Sequence, residues 1–281
     1  MKIAVLADIH NNFCALEACL DYCEKHRIHE IAFLGDYVSD CPSPQLTMKL
    51  LGQARSSFRT TFVKGNREEY MIKQADTPNP DWCYGSAWGS LYHTFCRLTR
   101  DDLDWFRGLP IYRSTSFQQG LGFEMCHGTP QIARKIVYEG SEEMIEVCKG
   151  MKTDLMLCGH SHIQYHSAIE GRQIVNCGSV GIACDNDPSA RMAVVERGVN
   201  DWRVELLKIP YDVERLRREF FESGFMDDAV VWAKIMLHTV TTGHEYSWQC
   251  INIVNQICKE TGASRNEEWV WQEAASRVGL L

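Results

Sequence analysis

The sequence predicts an α/β protein in which two β-sheets pack together between layers of helices, followed by a helical C-terminal segment. Three observations carry this. Short apolar runs of strand length alternate with helical stretches through about residue 160. Strand-sized runs then continue without helices between them. From Tyr211 onward the pattern is helix alone. The 281 residues, 45% of them hydrophobic, suffice for one large core or one core with an appendage.

In chain order, the strand-sized runs are Ile3–Ala7, Ile31–Leu34, Thr61–Val63, Gly122–Cys126, Leu155–Cys158, Ile174–Val175, Met192–Val195 and Val204–Ile209. Each ends near a turn or polar residue. A helix is expected over Asn12–Arg27, because Leu16, Cys19, Leu20 and Cys23 fall on one face. Thr99 with Asp101 and Asp102 starts another helix, and Gly108 with Pro110 stops it. Ser141 caps a third, with Glu142 and Glu143 in its first turn and Gly150 at its close. In the tail, Leu216, Phe220 and Phe221 mark one helix, and Val230, Ala233, Ile235 and Leu237 a second. Ile251, Val254 and Ile257 mark a third, and Trp269–Val278 a fourth. Residues 1–210 are expected to form the α/β domain and residues 211–281 the helical appendage.

Composition excludes several classes. The net charge is −8, which opposes a broad phosphate-backbone footprint and hence general nucleic-acid binding. Mean hydropathy is −0.27, and no apolar run approaches membrane-spanning length. The N-terminal run Ile3–Ala7 is too short for a signal-peptide core, so a cytoplasmic location is expected. None of the 13 cysteines forms a Cys-x-x-Cys pair, which argues against zinc-ribbon and thioredoxin-type sites. Cys126, Cys158 and Cys177 lie in or just after apolar runs, where a free thiol acts as a small buried hydrophobe.

Five segments share one layout, an apolar strand followed by a turn with polar residues. They end in Asp8-Ile9-His10, Gly35-Asp36, Gly65-Asn66-Arg67-Glu68, His127-Gly128 and Gly159-His160-Ser161-His162. Ligands of α/β sheets gather at the carboxyl ends of strands, so these five ends can converge. Asp8 and His10 sit two apart, and in an extended segment both would point the same way; His160 and His162 repeat that spacing. Glycines at 35, 65, 128 and 159 allow tight turns beside a ligand. Asp36 has two oxygens with which to bridge two cations. Mixed nitrogen and oxygen donors suit Mn, Fe, Zn, Co or Ni better than Ca or Mg. A lone Asp-x-His is weak evidence of a metal site, whereas five such strand ends in one chain are hard to attribute to chance.

This ordered set resembles the calcineurin-like metallophosphoesterases. It looks closest to the small prokaryotic phosphodiesterase and diadenosine-tetraphosphate hydrolase-like branch. Asn176-Cys177-Gly178-Ser179 resembles that branch's Asn-Pro-Gly-Ser turn, with Cys177 in place of proline. The resemblance implies an αββα sandwich and a dinuclear centre. One metal would be held by Asp8, His10, Asp36 and His162, the second by Asp36, Asn66, His127 and His160. It implies two divalent transition-metal ions, manganese foremost with Fe, Zn, Ni or Co as alternatives, and attack on phosphorus by a hydroxide between them. Asp36, Asn66, Arg67 and His127 would carry the catalysis. The substrate would be a small phosphorylated molecule such as a nucleotide or dinucleoside polyphosphate, split at a phosphodiester or phosphoanhydride bond. A phosphomonoesterase, a protein phosphatase and a non-catalytic scaffold on the same fold are the alternatives. The scaffold should lose ligands, and all seven positions here carry a competent residue.

One departure stands out: the family's Gly-Asn-His has arginine at position 67. Arginine does not act as an acid, with a pKa above about 12, but it can grip phosphate oxygens bidentately. Of the remaining histidines, His93 is the candidate for lining a substrate cleft, since Tyr92 and Arg97 accompany it on a helix. Asn11 has two readings, a phosphate contact or a turn or cap residue. Glu68 and Glu69 are read as a helix first turn, Asp40 as a loop residue, and Trp82, Tyr84 and Trp88 as packing or base-stacking residues.

Overall fold

The computed structural model describes residues 1–116, 122–199 and 201–281. The first βα units run β1 Lys2–Leu6, α1 Phe13–Lys25, β2 Glu30–Phe33, α2 Pro44–Ser57, β3 Arg59–Phe62 and α3 Asn66–Asp76. Helices α4 Gly89–Arg97 and α5 Arg100–Gly108 lead to β4 Tyr112–Ser116, β5 Gly122–Cys126, α6 Glu142–Gly150 and β6 Leu155–Cys158. Four further strands follow: β7 Tyr165–Ile169, β8 Arg172–Asn176, β9 Ala190–Arg197 and β10 Trp202–Ile209. The tail holds α7 Val213–Glu222, α8 Phe225–Thr242, α9 Ser247–Thr261 and α10 Glu268–Arg277.

The strands form two five-stranded sheets, ordered β10-β9-β1-β2-β3 and β4-β5-β6-β8-β7. This is the two-sheet sandwich that the sequence predicts. In the first sheet β1, β2 and β3 run parallel, and in the second β5, β6 and β8 do. Both faces of the central strands are covered, so alternate residues enter different cores. Ile3, Val5, Ala32 and Leu34 meet Phe123, Met125, Leu155, Leu157 and Val175 between the sheets. Leu6, Ile31 and Phe33 face the outer helices with Leu16, Cys19 and Leu51. Met156, Cys158 and Ile174 face α6 through Met144 and Cys148. Each such aliphatic side chain, taken fully out of water, contributes about 1.5–3 kcal/mol.

Two strands escaped the apolar-run reading, and both are edges. β4 and β7 close the second sheet on its two sides. Their residues are largely exposed or half-buried, so neither carries a continuous apolar run.

The helix caps follow the sequence signals. Asn12 Oδ1 accepts from Ala15 N at 3.0 Å, Thr99 caps α5, and Ser141 caps α6. The tail packs on the sandwich through a shared apolar cluster, in which Phe13, Cys14, Cys41 and Ile182 join Phe225, Ile235, Val254 and Ala274. Helix α8 is kinked at Val230, and the Val231 N–H donates to Glu268 Oε1 at 3.2 Å. Among the described residues no helix is long and apolar enough to cross a membrane.

Candidate metal centre

The parallel strands β1, β2, β3, β5 and β6 deliver Asp8, His10, Asp36, Asn66, His127, His160 and His162 from their carboxyl ends. The backbone reason differs from the extended geometry expected for Asp8-Ile9-His10 and His160-Ser161-His162. Asp8, His10, Asp36, His160 and His162 have φ of 55°, 49°, 53°, 66° and 61°. Each therefore sits in the left-handed region, and the side chains converge through turns. Such a conformation costs a non-glycine residue on the order of 1–3 kcal/mol and concentrates at functional sites. The glycines serve close approach. A Cβ on Gly35, itself at φ +98°, would lie 2.3 Å from Gly65 N, and one on Gly65 would lie 2.2 Å from Asp36 Oδ1.

Two groups of donors result. Asp8, His10 and His162 form one, and Asp36, His127 and His160 the other, each with ligand atoms within 4.8 Å of one another. Three of the four imidazoles are anchored by a hydrogen bond through one nitrogen, and the fourth, His10, stands beside a carboxylate. His127 Nδ1 donates to Leu34 O at 2.9 Å, His162 Nδ1 to Ile182 O at 2.9 Å, and His160 Nε2 to Arg134 O at 2.9 Å. His10 Nδ1 lies 3.1 Å from Asp40 Oδ2. This outward anchoring fixes the tautomer, as metal-bound histidines require.

The inward nitrogens then face each other: His10 Nε2 is 3.2 Å from His162 Nε2, and His127 Nε2 is 3.2 Å from His160 Nδ1. With the outer nitrogens turned to backbone carbonyls and to Asp40, the inner nitrogens are the ones left to face a cation. Asp8 Oδ1 and Asn66 Oδ1 are buried without a hydrogen-bond donor, so they too have lone pairs to offer. Asp36 Oδ2 lies 3.3 Å from His127 Nε2 and 3.9 Å from His10 Nε2, within reach of both groups. The donor set fits divalent transition-metal ions.

The electrostatics draw in positive charge. Burial by itself would raise the Asp36 carboxyl and lower the His127 imidazole. Their mutual attraction prevails, holding Asp36 down at about 2 and lifting His127 to about 9. Burial would also raise Asp8, yet His162 and His127 keep it well below the usual carboxylate range. Burial and the neighbouring His127 depress His160 to about 4.

Arg67 lies in the first turn of α3 beside this cage. Its backbone N–H donates to Asp36 Oδ1 at 2.8 Å, and its guanidinium pairs with Asp40 Oδ2 at 2.9 Å. Its Nε is buried without a hydrogen-bond partner.

Several readings from the sequence change. Asp40 is a loop residue, as expected, but it is 2% exposed and lies against His10, Arg67 and Trp232, whose Nε1 donates to Asp40 Oδ1 at 3.0 Å. Glu68 is more than a first-turn acid. It is fully buried and accepts from the backbone N–H groups of Asp36, Tyr37 and Gly65 at 2.9, 2.8 and 2.7 Å. His93 does not line the cleft. It is buried against Pro42 O and Asp228, at 2.8 and 2.7 Å. Asn11 takes the structural reading, donating to Cys41 O and Thr94 Oγ1 at 2.9 and 3.0 Å. Neither Asp40 nor Glu68 has a spacing signal of its own. Trp232 lies 192 residues from Asp40.

A family model described as a calcineurin-like phosphoesterase superfamily domain matches residues 1–198. An uncharacterized protein from Methanocaldococcus jannaschii is 23% identical over 230 residues, which span 76% of this chain and 89% of that one. Two solved structures have a similar fold. A metallophosphoesterase from Sphaerobacter thermophilus superposes with a TM-score of 0.69 at 22% identity, covering 86% of this chain and 99% of that one. A hypothetical protein from Pyrococcus horikoshii superposes with a TM-score of 0.71 at 17% identity, covering 84% and 97%.

Proposed function

The chain belongs to the calcineurin-like phosphoesterase superfamily and is a metal-dependent phosphoesterase, and from that premise we propose that it hydrolyses phosphodiester or phosphoanhydride bonds of small nucleotide-like substrates at two divalent transition-metal ions. The observation that carries this reading is the pair of inward-facing imidazole couples, each 3.2 Å across, with Asp36 reaching toward both. Asp8, His10, Asp36 and His162 would hold one ion, and Asp36, Asn66, His127 and His160 the other. Manganese is the first candidate among the metals that suit these donors. A cytoplasmic setting agrees with the 13 cysteines, all present as free thiols.

Divalent cations held by these residues would supply Lewis-acid stabilisation of the charge that develops on the phosphoryl group. The chain's own residues supply the rest. Leu34 O, Ile182 O and Arg134 O hold three rings in orientation, and the Asp40 carboxylate stands 3.1 Å from the fourth. Arg67 lines the cleft with a guanidinium anchored at Asp40, and its role in this reading is to bind phosphoryl oxygens and the charge that grows on them. As water oxygen bonds to phosphorus, the bond to the leaving oxygen breaks. Arg67 cannot give that oxygen a proton, so good leaving groups are favoured.

The test is an aryl phosphodiester series of graded leaving-group pKa, alongside nucleotides and alkyl monoesters. Each is assayed after reconstitution with Mn, Fe, Co, Ni or Zn. A steep leaving-group dependence that flattens in Arg67→His supports the reading. Equal slopes would assign the acid elsewhere, and turnover confined to alkyl monoesters would replace the reading with a phosphomonoesterase.

A further inference from the structure

A second cavity, of about 310 Å³, adjoins the cleft at the metal centre, itself about 280 Å³. Asp40, Arg67, Trp232 and Ile251 line both. Small-molecule sites occupy roughly 300–1,000 Å³. Each space is at the low end of that range, and the two together fall well inside it.

Three tryptophans line the second cavity. Trp88 precedes α4, while Trp232 and Trp271 come from α8 and α10 of the tail. The indole N–H of each ring is already used: Trp88 on Asn266 Oδ1 at 2.8 Å, Trp232 on Asp40 Oδ1 at 3.0 Å, Trp271 on Arg265 O at 2.8 Å. These bonds fix the rings. Trp232 and Trp271 meet at 89°, with centroids 5.5 Å apart, and form an aromatic corner. Packing has thus left a cavity beside three oriented indoles. Cationic groups stand on two sides of it. The buried Arg67 Nε has no hydrogen-bond partner, and Arg265, also on the wall, is exposed.

We propose that this cavity is a subsite for the nucleobase of a phosphorylated substrate whose phosphorus lies at the metal centre. The inference rests on the phosphoesterase reading and narrows it to substrates that carry a flat aromatic base. The base stacks in the Trp88, Trp232 and Trp271 chamber, and the phosphate chain passes Arg67 to reach His10, Asp36 and His162. Stacking on indole tolerates any base, so the site selects for aromaticity more than for base identity. The C-terminal helices, which contribute Trp232 and Trp271, then determine substrate choice without supplying a metal ligand.

Two measurements on the full-length protein test this and separate it from the reading it rests on. The first is titration with adenosine, which has no phosphate, followed by tryptophan fluorescence. Saturable quenching is expected, weakened at least tenfold in Ala87→Phe, which adds a ring to the chamber, and in Trp88→Leu, which removes one. The second compares hydrolysis of adenosine diphosphate and inorganic pyrophosphate by the metal-loaded enzyme. The nucleotide is expected to show a KM at least tenfold lower, with the gap shrinking in both variants. Should Ala87→Phe fail to fold, Trp88→Leu and the wild-type titration still decide. Hydrolysis without adenosine binding, or with equal KM for the two anhydrides, overturns the subsite. Adenosine binding that is lost in the variants, with no hydrolysis of either anhydride, upholds the subsite and overturns the anhydride reading.

Discussion

Asp36 is the residue on which the two donor groups converge. Its Oδ1 accepts the Arg67 N–H at 2.8 Å, and its Oδ2 faces His127 and His10. Asparagine keeps the shape and can keep the first bond, but it removes the charge that both cations would share. Asp36→Asn is therefore expected to lower turnover by at least about 10²–10³-fold, the scale of losing a preorganised electrostatic group. Far-UV circular dichroism should stay unchanged, and near-normal turnover would mean that Asp36 is not the bridge. His10→Ala should be milder, since one cation alone loses a ligand. At this scale much was legible in the sequence. Asp-x-His, Gly-Asp, Gly-Asn and Gly-His-x-His each place a donor directly after a strand, where the fold collects them. Asp40 was not legible. Its partners His10, Arg67 and Trp232 come from three distant stretches, and a single aspartate in a polar turn has no periodicity to mark it.

Among the elements, the N-terminus of α3 sets the geometry of the centre. Gly65 lets the β3 end pass against Asp36, and Glu68 then clips the two turns together through the N–H groups of Asp36, Tyr37 and Gly65. Glu68→Gln would turn an amide donor toward donors, leaving buried N–H groups unmatched. Such a defect costs about 1–3 kcal/mol, so Tm should fall by roughly 2–12 °C. Calorimetry checks this, and an unchanged Tm would show that the clip is dispensable. Helices with a cap residue and an apolar stripe, such as α1, α5 and α6, could be read from the chain. So could the buried strands β1, β2, β5 and β6. The edge strands β4 and β7 could not, because solvent covers much of them and their residues need not be apolar.

At the level of the whole molecule, the tail and the sandwich are joined through one core. Phe13, Cys14, Cys41 and Ile182 pack with Phe225, Ile235 and Val254, and Asn12 Nδ2 donates to the Tyr211 hydroxyl at 3.1 Å. Removal of residues 211–281 would uncover that apolar surface and also take Trp232 from Asp40. A truncated chain is expected to aggregate, as size-exclusion chromatography would show. A monodisperse truncation with unaltered substrate range would contradict the role given to the tail. The helical character of this segment is plain in the sequence, whereas its seat beside the metal centre depends on long-range contacts that no local pattern encodes. The most direct test of the centre itself is elemental analysis of the gently purified full-length protein, repeated after reconstitution. The proposed centre predicts two transition-metal ions per chain, with phosphoesterase activity rising and falling with their content. A chain that stays metal-free and inert after incubation with Mn, Fe, Co, Ni and Zn would contradict it.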